Sequence, residues 1–114
     1  YSYEDGYSGM QAVLRDTPQV TAVFAMADVI AIGAIRALFD EGLRVPEDIS
    51  VVGYDGLRIG DFYVPKLTTI SQSVELLAKC SFELLISCMQ GAPAQHLTVP
   101  FRLLRRQSVR QITE

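Results

Sequence analysis

Two aspartates in this sequence stand where a carboxylate can bind a small polar ligand. Asp28 follows the apolar run of residues 21–26, and Asp55 follows the apolar run of residues 49–54. A carboxylate at the end of a buried strand can accept hydrogen bonds from two hydroxyl groups of one ligand. Asp28 is also placed to cap a helix, and Asp55-Gly56 is also an ordinary turn sequence. We therefore favour Asp55 as the ligand contact and interpret Asp28 first as a helix cap.

The sequence offers no set of residues for catalysis, metal binding or phosphate binding. The single histidine, His96, precedes a predicted strand and is far along the chain from Asp55, which indicates a surface residue. No cysteine and histidine cluster has the spacing of metal ligands, and the glycines at positions 53, 56 and 60 match no phosphate-binding loop. The sequence therefore predicts a protein that is not an enzyme and needs no cofactor.

The charge balance argues against direct binding of nucleic acid. The net charge of the 114 residues is −3, whereas contact with phosphates needs a basic face. One basic cluster lies near the C-terminus, and we interpret it as strand charges that face water. It consists of Arg102, Arg105, Arg106 and Arg110. No apolar run reaches the roughly 18 residues that a membrane helix needs.

The elements that must position the aspartates form a strand–helix–strand unit. Residues 21–26 and 49–54 are apolar on both faces, as buried parallel strands are, and residues 28–40 between them have helical character. Such a unit predicts a right-handed crossover in a parallel sheet with flanking helices, and thus an α/β fold. Because ligands bind at the carboxyl ends of parallel strands, residues 26–28 and 55–57 become the candidate loops.

The helix of residues 28–40 is apolar almost all round, and only Arg36 and Asp40 mark a polar side. One face of a sheet cannot cover that circumference, so part of the helix should meet another surface of the same chain or of a partner. The remaining pattern predicts helices at 4–16 and 74–90, capped by Ser2 and Ser73, and strands at 67–72 and 97–104. Residues 57–65 are expected to be irregular, and residues 108–114 to be a frayed tail.

The two cysteines, Cys80 and Cys88, lie on the helix predicted at 74–90. Eight helical residues rise about 12 Å, which is beyond the reach of a disulfide. We interpret both as small buried hydrophobic residues in a reducing compartment.

Several segments together resemble one family. They are residues 1–9, the pattern Ala25…Asp28…Ala31…Gly33…Leu38, then residues 41–55 (EGLRVPEDISVVGYD), residues 65–72 (PKLTTISQ), and residues 104–108 (LRRQS). In this order they are similar to the C-terminal part of the effector-binding domain of LacI/GalR-family transcriptional regulators.

The resemblance implies part of a two-subdomain, periplasmic-binding-protein-like fold. Residues 1–66 would form the C-terminal subdomain, and residues 67–72 the hinge crossing with Thr68, Thr69 and Gln72. Residues 73–100 would return to the N-terminal subdomain, and residues 101–114 would be the final strand and tail. The DNA-binding domain and the first half of the effector domain would be absent, which agrees with a chain that begins without methionine.

The resemblance also implies site residues. Tyr1 matches an aromatic residue that stacks on the effector, Asp55 matches an aspartate that binds effector hydroxyls, and Asp28 matches the second residue of an Asn-Asp pair. Ala27 stands in place of that asparagine, which argues against a lactose-type binding mode. Gly56 stands where a second aspartate often follows.

The function implied is effector sensing by a cytoplasmic DNA-binding repressor. The effector would be a sugar or a similar polar metabolite, and operator DNA would be bound only through the missing N-terminal domain. A homodimer is expected through the excess apolar surface at Val29, Ile30, Ile32, Leu57, Ile59 and Tyr63. The alternatives are a periplasmic solute-binding protein of the same fold and, less favoured, an enzyme of the open α/β class.

Overall fold

A four-stranded sheet in the order β1-β2-β3-β4 carries the fold, and β1, β2 and β3 run parallel. The computed structural model describes residues 1–113. Its elements are α1 (Tyr3–Asp16), β1 (Ala22–Phe24), α2 (Asp28–Asp40), β2 (Ser50–Asp55), α3 (Ile59–Phe62), β3 (Thr68–Gln72), α4 (Val74–Met89) and β4 (Phe101–Leu104). The predicted α/β class and its central β1-α2-β2 crossover are confirmed.

The predicted elements are all present, with two differences. A short helix, α3, lies within the segment expected to be irregular, and β4 begins at Phe101 and not at residue 97. Pro100 precedes β4 and has no backbone N–H to donate to a neighbouring strand, which explains the later start. The side chains of Ser2 and Ser73 cap α1 and α4 as predicted.

The second surface required by α2 is α1 of the same chain. The two helices pack so closely that a Cβ atom added to Gly6 would lie 2.0 Å from the Ile30 carbonyl oxygen. A Cβ atom added to Gly33 would lie 1.9 Å from the Tyr3 carbonyl oxygen. Glycine at both positions therefore allows backbone-to-backbone contact, and the apolar circumference of α2 is divided between α1 and the sheet.

This packing covers part of the apolar surface that was expected to be in excess on α2, while Phe39 stays exposed. Ile32 is only 6% exposed and belongs to the core of this chain, so it is wrongly placed in a subunit interface. Val29 and Ile30 are half-buried, and the backbone of Ile30 faces Gly6. The core itself lies between α2 and the sheet, with Met10 of α1. It contains Ala25, Ala31, Ile35, Leu38, Ile49, Val51 and Leu67.

The segment after β4 is anchored as far as Arg110, whose backbone N–H donates to the Ser50 hydroxyl at 3.2 Å. The Ser108 hydroxyl is buried, donates to the Val51 carbonyl oxygen at 2.5 Å, and accepts from the Thr68 N–H at 2.8 Å. The Val51 N–H donates to the Ser108 carbonyl oxygen at 2.8 Å. These bonds hold the segment beside β2 and β3, so the prediction of a frayed tail is wrong here, and residue 114 lies outside the described residues.

Arg106 corrects the interpretation of the basic cluster. Its side chain is largely buried, its guanidinium donates to the Leu67 carbonyl oxygen at 3.1 Å, and it lies 3.7 Å from the Asp61 carboxylate. The other three arginines of the cluster are exposed, as expected. Arg106 thus ties the segment after β4 to α3 and to the start of β3.

The chain divides into two compact units, residues 1–71 with 103 onwards, and residues 72–102. In the second unit α4 has no buried residue, and its apolar Val74, Phe82 and Met89 are exposed. Cys80 is half-buried and Cys88 is exposed, both as free thiols, so the prediction that they are buried is wrong. Within residues 1–113 no helix is long and apolar enough to cross a membrane.

The contact between α1 and α2 can be tested with two glycines of α1. Gly6→Ala should lower the free energy of unfolding by about 1–3 kcal/mol, because the new methyl group overlaps the backbone of α2. Gly9→Ala meets nothing within 4 Å and should raise it by about 0.5–1 kcal/mol through helix propensity. Urea unfolding followed by circular dichroism measures both, and equal stabilities of the two variants would contradict this packing.

Candidate functional site

The carboxyl ends of β1, β2 and β3 meet at one edge of the parallel sheet. Ala27 and Asp28 follow β1, Asp55 is the last residue of β2, and Gln72 is the last residue of β3. Asp55 is paired with Ser71 of β3 in the register of the sheet. Both candidate loops predicted from the sequence therefore lie at the same edge, where open α/β sheets bind ligands.

Asp28 is built into this edge as a buried hydrogen-bond acceptor. It is 0% exposed, its Oδ1 accepts from the Thr69 hydroxyl at 2.6 Å, and its Oδ2 accepts from the Leu57 N–H at 2.7 Å. The N-cap residue of α2 is Ala27, and no side chain caps it there. The prediction that the Asp28 carboxylate caps α2 is therefore wrong, since the carboxylate bonds instead to β3 and to the loop after β2.

Thr69 completes the cluster from β3. Its side chain is fully buried, and its Oγ1 also accepts from the Gly56 N–H at 3.3 Å. One hydroxyl group and one carboxylate therefore hold the backbone N–H groups of Gly56 and Leu57, the two residues that follow Asp55. Sequence reasoning missed this role of Thr69. A threonine in a strand that is buried on both faces is the signal that could have found it, because its hydroxyl group must find a partner there.

Asp55 has a strained backbone and a partly accessible carboxylate. Its φ of 123° lies in a region that residues with a Cβ atom rarely adopt, and Gly56 follows with a φ of 76°. Burial raises the pKa of the Asp55 carboxyl above its usual value of 3.8, and the Asp28 carboxylate raises it further. The backbone N–H of Asp28, at the start of α2, lowers this pKa and opposes both effects. Asp55 thus remains half-buried and able to accept further hydrogen bonds.

The other predicted effector contacts, Tyr1, Ala27 and Asp28, differ in their exposure to solvent. Tyr1 is 82% exposed and precedes α1, where its amino group pairs with Asp5 at 3.1 Å. Ala27 is buried and offers a methyl group in place of a hydrogen-bonding side chain. Direct effector contact by Tyr1, Ala27 and Asp28 stays a prediction, and for Asp28 the structure assigns both oxygens to partners inside the chain.

The predicted hinge residues lie at the end of the first unit. Thr68 and Thr69 are buried, and Gln72 is half-buried. The division between the two units falls between Ser71 and Gln72. Their role as a hinge stays a prediction.

The predicted interface residues outside α2 lie on or near α3. Leu57 and Ile59 are exposed, and Tyr63 is half-buried. Tyr63, Phe62 and Val64 line a groove of about 760 Å³ that continues along Phe39 of α2, here called the Phe62 groove. Phe62 and Val64 are 74% and 87% exposed, so this groove presents a concentrated apolar surface to solvent. No group of three or more metal-ligating side chains occurs within residues 1–113.

Known proteins match this chain along nearly its whole length. A family model described as a periplasmic binding protein-like domain matches residues 2–109. The HTH-type transcriptional repressor PurR of Edwardsiella ictaluri is 43% identical over 108 residues, which cover 93% of this chain and 32% of that protein. The chain thus spans about a third of the length of the curated relatives that it matches.

Two solved structures show the same architecture. A LacI family transcriptional regulator from Enterococcus faecium with bound ribose has a TM-score of 0.86 and 32% identity, over 99% of this chain and 42% of that chain. A lac repressor dimer bound to operator and the anti-inducer ONPF has a TM-score of 0.88 and 36% identity, over 95% of this chain and 38% of that chain.

The opposite pKa shifts of two aspartates predict opposite effects of the same substitution. Because the folded protein raises the pKa of Asp55, ionisation above pH 3.8 costs stability, and Asp55→Asn should raise the Tm at pH 7. Asp48 accepts three hydrogen bonds from Arg44, which lower its pKa to about 2. The stability that Asp48 contributes is present above pH 3.8 and is lost as the pH falls towards 2, so Asp48→Asn should lower the Tm at pH 7.

Thermal unfolding of both variants at pH 7 and pH 4 measures the two effects. We expect shifts of about 1–4 °C in opposite directions at pH 7, both smaller at pH 4. A lower Tm for Asp55→Asn at pH 7 would contradict the electrostatic account of Asp55.

Proposed function

Since the chain belongs to the periplasmic binding protein-like domain family and is of the LacI/GalR type, we propose that it senses a small polar effector as part of a transcriptional repressor. The observation that carries this proposal is Asp55, which has a strained backbone and is half-buried. It lies at the carboxyl edge of the parallel sheet, beside the start of α2. A carboxylate in this position accepts hydrogen bonds from neighbouring hydroxyl groups and so suits a sugar or a similar metabolite. The regulator names of the relatives favour this function over solute transport in the periplasm.

The proposed mechanism is a shift between two arrangements of the units. Residues 1–66 form one subdomain in this proposal, residues 67–72 form the hinge, and residues 73–100 belong to the other subdomain. An effector that binds one arrangement better than the other shifts their populations by its difference in affinity. Operator DNA is bound by a separate domain outside these 114 residues, in the cytoplasm, which fits the net charge of −3 of this chain.

Binding of an effector can be tested by thermal shift with the protein at the full length that its gene encodes. The panel contains D-ribose, lactose, cellobiose and the nucleobases adenine, guanine and hypoxanthine. A ligand present at 100 times its Kd stabilises the folded protein by about 2.7 kcal/mol, which raises the Tm by several degrees. Asp55→Ala should weaken binding of the active compound by about tenfold or more, because a charge-assisted hydrogen bond is lost.

Asp48→Ala is the matched control, since it removes a carboxylate that pairs with Arg44 in the turn before β2. It should leave the affinity unchanged. If Asp55→Ala binds the active compound as tightly as the wild type does, the assignment of Asp55 is wrong. If no member of the panel raises the Tm, the proposed class of effector is wrong.

We also propose that the protein forms a two-fold homodimer through the Phe62 groove and the neighbouring Leu57 and Ile59. The support is the exposure of several large apolar side chains on and beside α3, since exposed apolar patches mark association sites. Val29 and Ile30 are half-buried and do not line the groove, and they stay a predicted part of the interface. Ile32 is left out because it belongs to the core.

The dimer can be tested with Phe62→Glu, which places a charge on an exposed ring position without disturbing the core. Sedimentation velocity should show a shift from dimer to monomer at micromolar concentration, because a buried unpaired charge opposes association. Val74→Glu, at an equally exposed position of the other unit, should leave the dimer intact. A dimer that survives Phe62→Glu would exclude the Phe62 groove as the interface.

A further inference from the structure

Four polar or charged side chains are buried in the described part of the chain, and all of them meet around the first two residues of β3. They are Asp28, Thr68, Thr69 and Ser108. Every one has a hydrogen-bond partner, and no buried side-chain nitrogen or oxygen atom within residues 1–113 lacks one. Because burial of a carboxylate is unfavourable without such partners, the contacts of Asp28 must be kept in the folded state.

The two hydroxyl groups at the start of β3 serve different parts of the chain. Thr68 Oγ1 accepts from the Arg106 N–H at 3.0 Å, on the side of the segment that follows β4. Thr69 Oγ1 donates to Asp28 and accepts from Gly56, on the side of the loop after β2. Neighbouring threonines of one strand therefore form two separate contacts, of which only the second reaches the residues beside Asp55.

The place of the Asp28 carboxylate is shaped by a glycine of β2. A Cβ atom added to Gly53 would lie 2.3 Å from Asp28 Oδ1 and 2.9 Å from a methyl carbon of Leu67. Any larger residue at position 53 would overlap the Asp28 carboxylate and displace it from its position beside β2. Three elements therefore shape this contact. Asp28 belongs to α2, Thr69 belongs to β3, and Gly53 of β2 leaves the space for the carboxylate.

The backbone beside this contact needs to be held. Asp55 has a φ of 123°, and such a conformation persists only where the surrounding structure imposes it. The N–H groups of the next two residues, Gly56 and Leu57, are the ones that Thr69 and Asp28 bind. Release of either bond would let the loop relax and would move the Asp55 carboxylate.

We propose that Asp28 and Thr69 are positioning residues, which hold the backbone of Gly56 and Leu57 and thereby set the direction of the Asp55 carboxylate. The ligand-contact role of Asp55 rests on the function proposed above, whereas the hold on the loop does not. Because Thr69 belongs to β3, the same contact makes the geometry of Asp55 depend on the position of that strand. Any shift of Thr69 along β3 would therefore change the hydrogen bonds that hold the loop.

The test is hydrogen exchange at single-residue resolution, with the protein at the full length that its gene encodes. In the wild type we expect the Leu57 amide to be as strongly protected as the Val51 amide, which donates to Ser108 inside the sheet. Thr69→Val keeps the size of the side chain and removes its hydroxyl group. It should speed exchange at Leu57 by about tenfold or more relative to Val51, because the Asp28 carboxylate that accepts from the Leu57 N–H is no longer held by the Thr69 hydroxyl.

Two variants control for a loss of stability alone. Thr69→Ser retains the hydroxyl group and should keep Leu57 within about threefold of the wild-type exchange rate. Thr68→Val removes the neighbouring hydroxyl group and should speed exchange at Arg106 while Leu57 stays protected. A merely structural role of Thr69 would speed exchange at Leu57 and Val51 together. Asp28→Leu, which removes the acceptor of the Leu57 N–H, should also speed exchange at Leu57 relative to Val51.

The outcomes separate this inference from the proposed function. Rapid exchange at Leu57 in the wild type, or equal protection in Thr69→Val and Thr69→Ser, would overturn the positioning role. If exchange behaves as expected but no sugar or nucleobase of the panel raises the Tm, the positioning role of Asp28 and Thr69 is supported and the proposed class of effector is rejected. If a compound of the panel binds, Thr69→Val should weaken it by about tenfold while Thr69→Ser does not, and equal affinities would show that the loop is held without consequence for binding.

Discussion

The Asp28 side chain is fully buried, so its hydrogen bonds have to come from the chain itself. The chain supplies them from two directions, with the Thr69 hydroxyl and the Leu57 N–H. These donors belong to β3 and to the loop after β2, so α2, β2 and β3 can reach their final positions only together. A broken bond would leave a buried charge without a partner, which costs far more than an exposed ion pair can contribute. This single side chain therefore joins α2 to β3 and to the loop after β2 at the carboxyl edge of the sheet.

A second constraint on α2 is its close contact with α1, which depends on the small size of two glycines. Gly6 and Gly33 let the backbones of α1 and α2 touch, and this contact covers apolar side chains that would otherwise face water. The helix is thus fixed by carboxylate chemistry at its first residue and by close packing along its length. Together these contacts explain why Ile32 is a core residue here, although the sequence alone makes it as suitable for an interface with a partner.

The order of elements could be predicted from the sequence because it depends on local patterns: apolar runs, caps, and glycine or proline at the ends of helices. The carboxyl edge of the sheet could also be predicted, because parallel strands bring their ends together. The partners of Asp28 could not, since Thr69 lies 41 residues away and only the final register of β2 and β3 brings the two together. Ser108 was missed for the same reason. Its local sequence is polar and near the end of the chain, while its hydroxyl joins Val51 to Thr68 in the core.

Asp28 and Asp55 follow similar strands in the sequence, but they have different surroundings at the carboxyl edge of the sheet. Both carboxylate oxygens of Asp28 accept hydrogen bonds from inside the chain, so this side chain contributes to the fold itself. Asp55 has the opposite balance: its backbone is strained, and burial beside another carboxylate raises its pKa. A group held in an unfavourable state by its surroundings gains most when a ligand supplies the missing hydrogen bonds. The strained backbone and the raised pKa of Asp55 therefore support the proposal that it contacts the effector, and Asp28 and Thr69 hold the two residues that follow it.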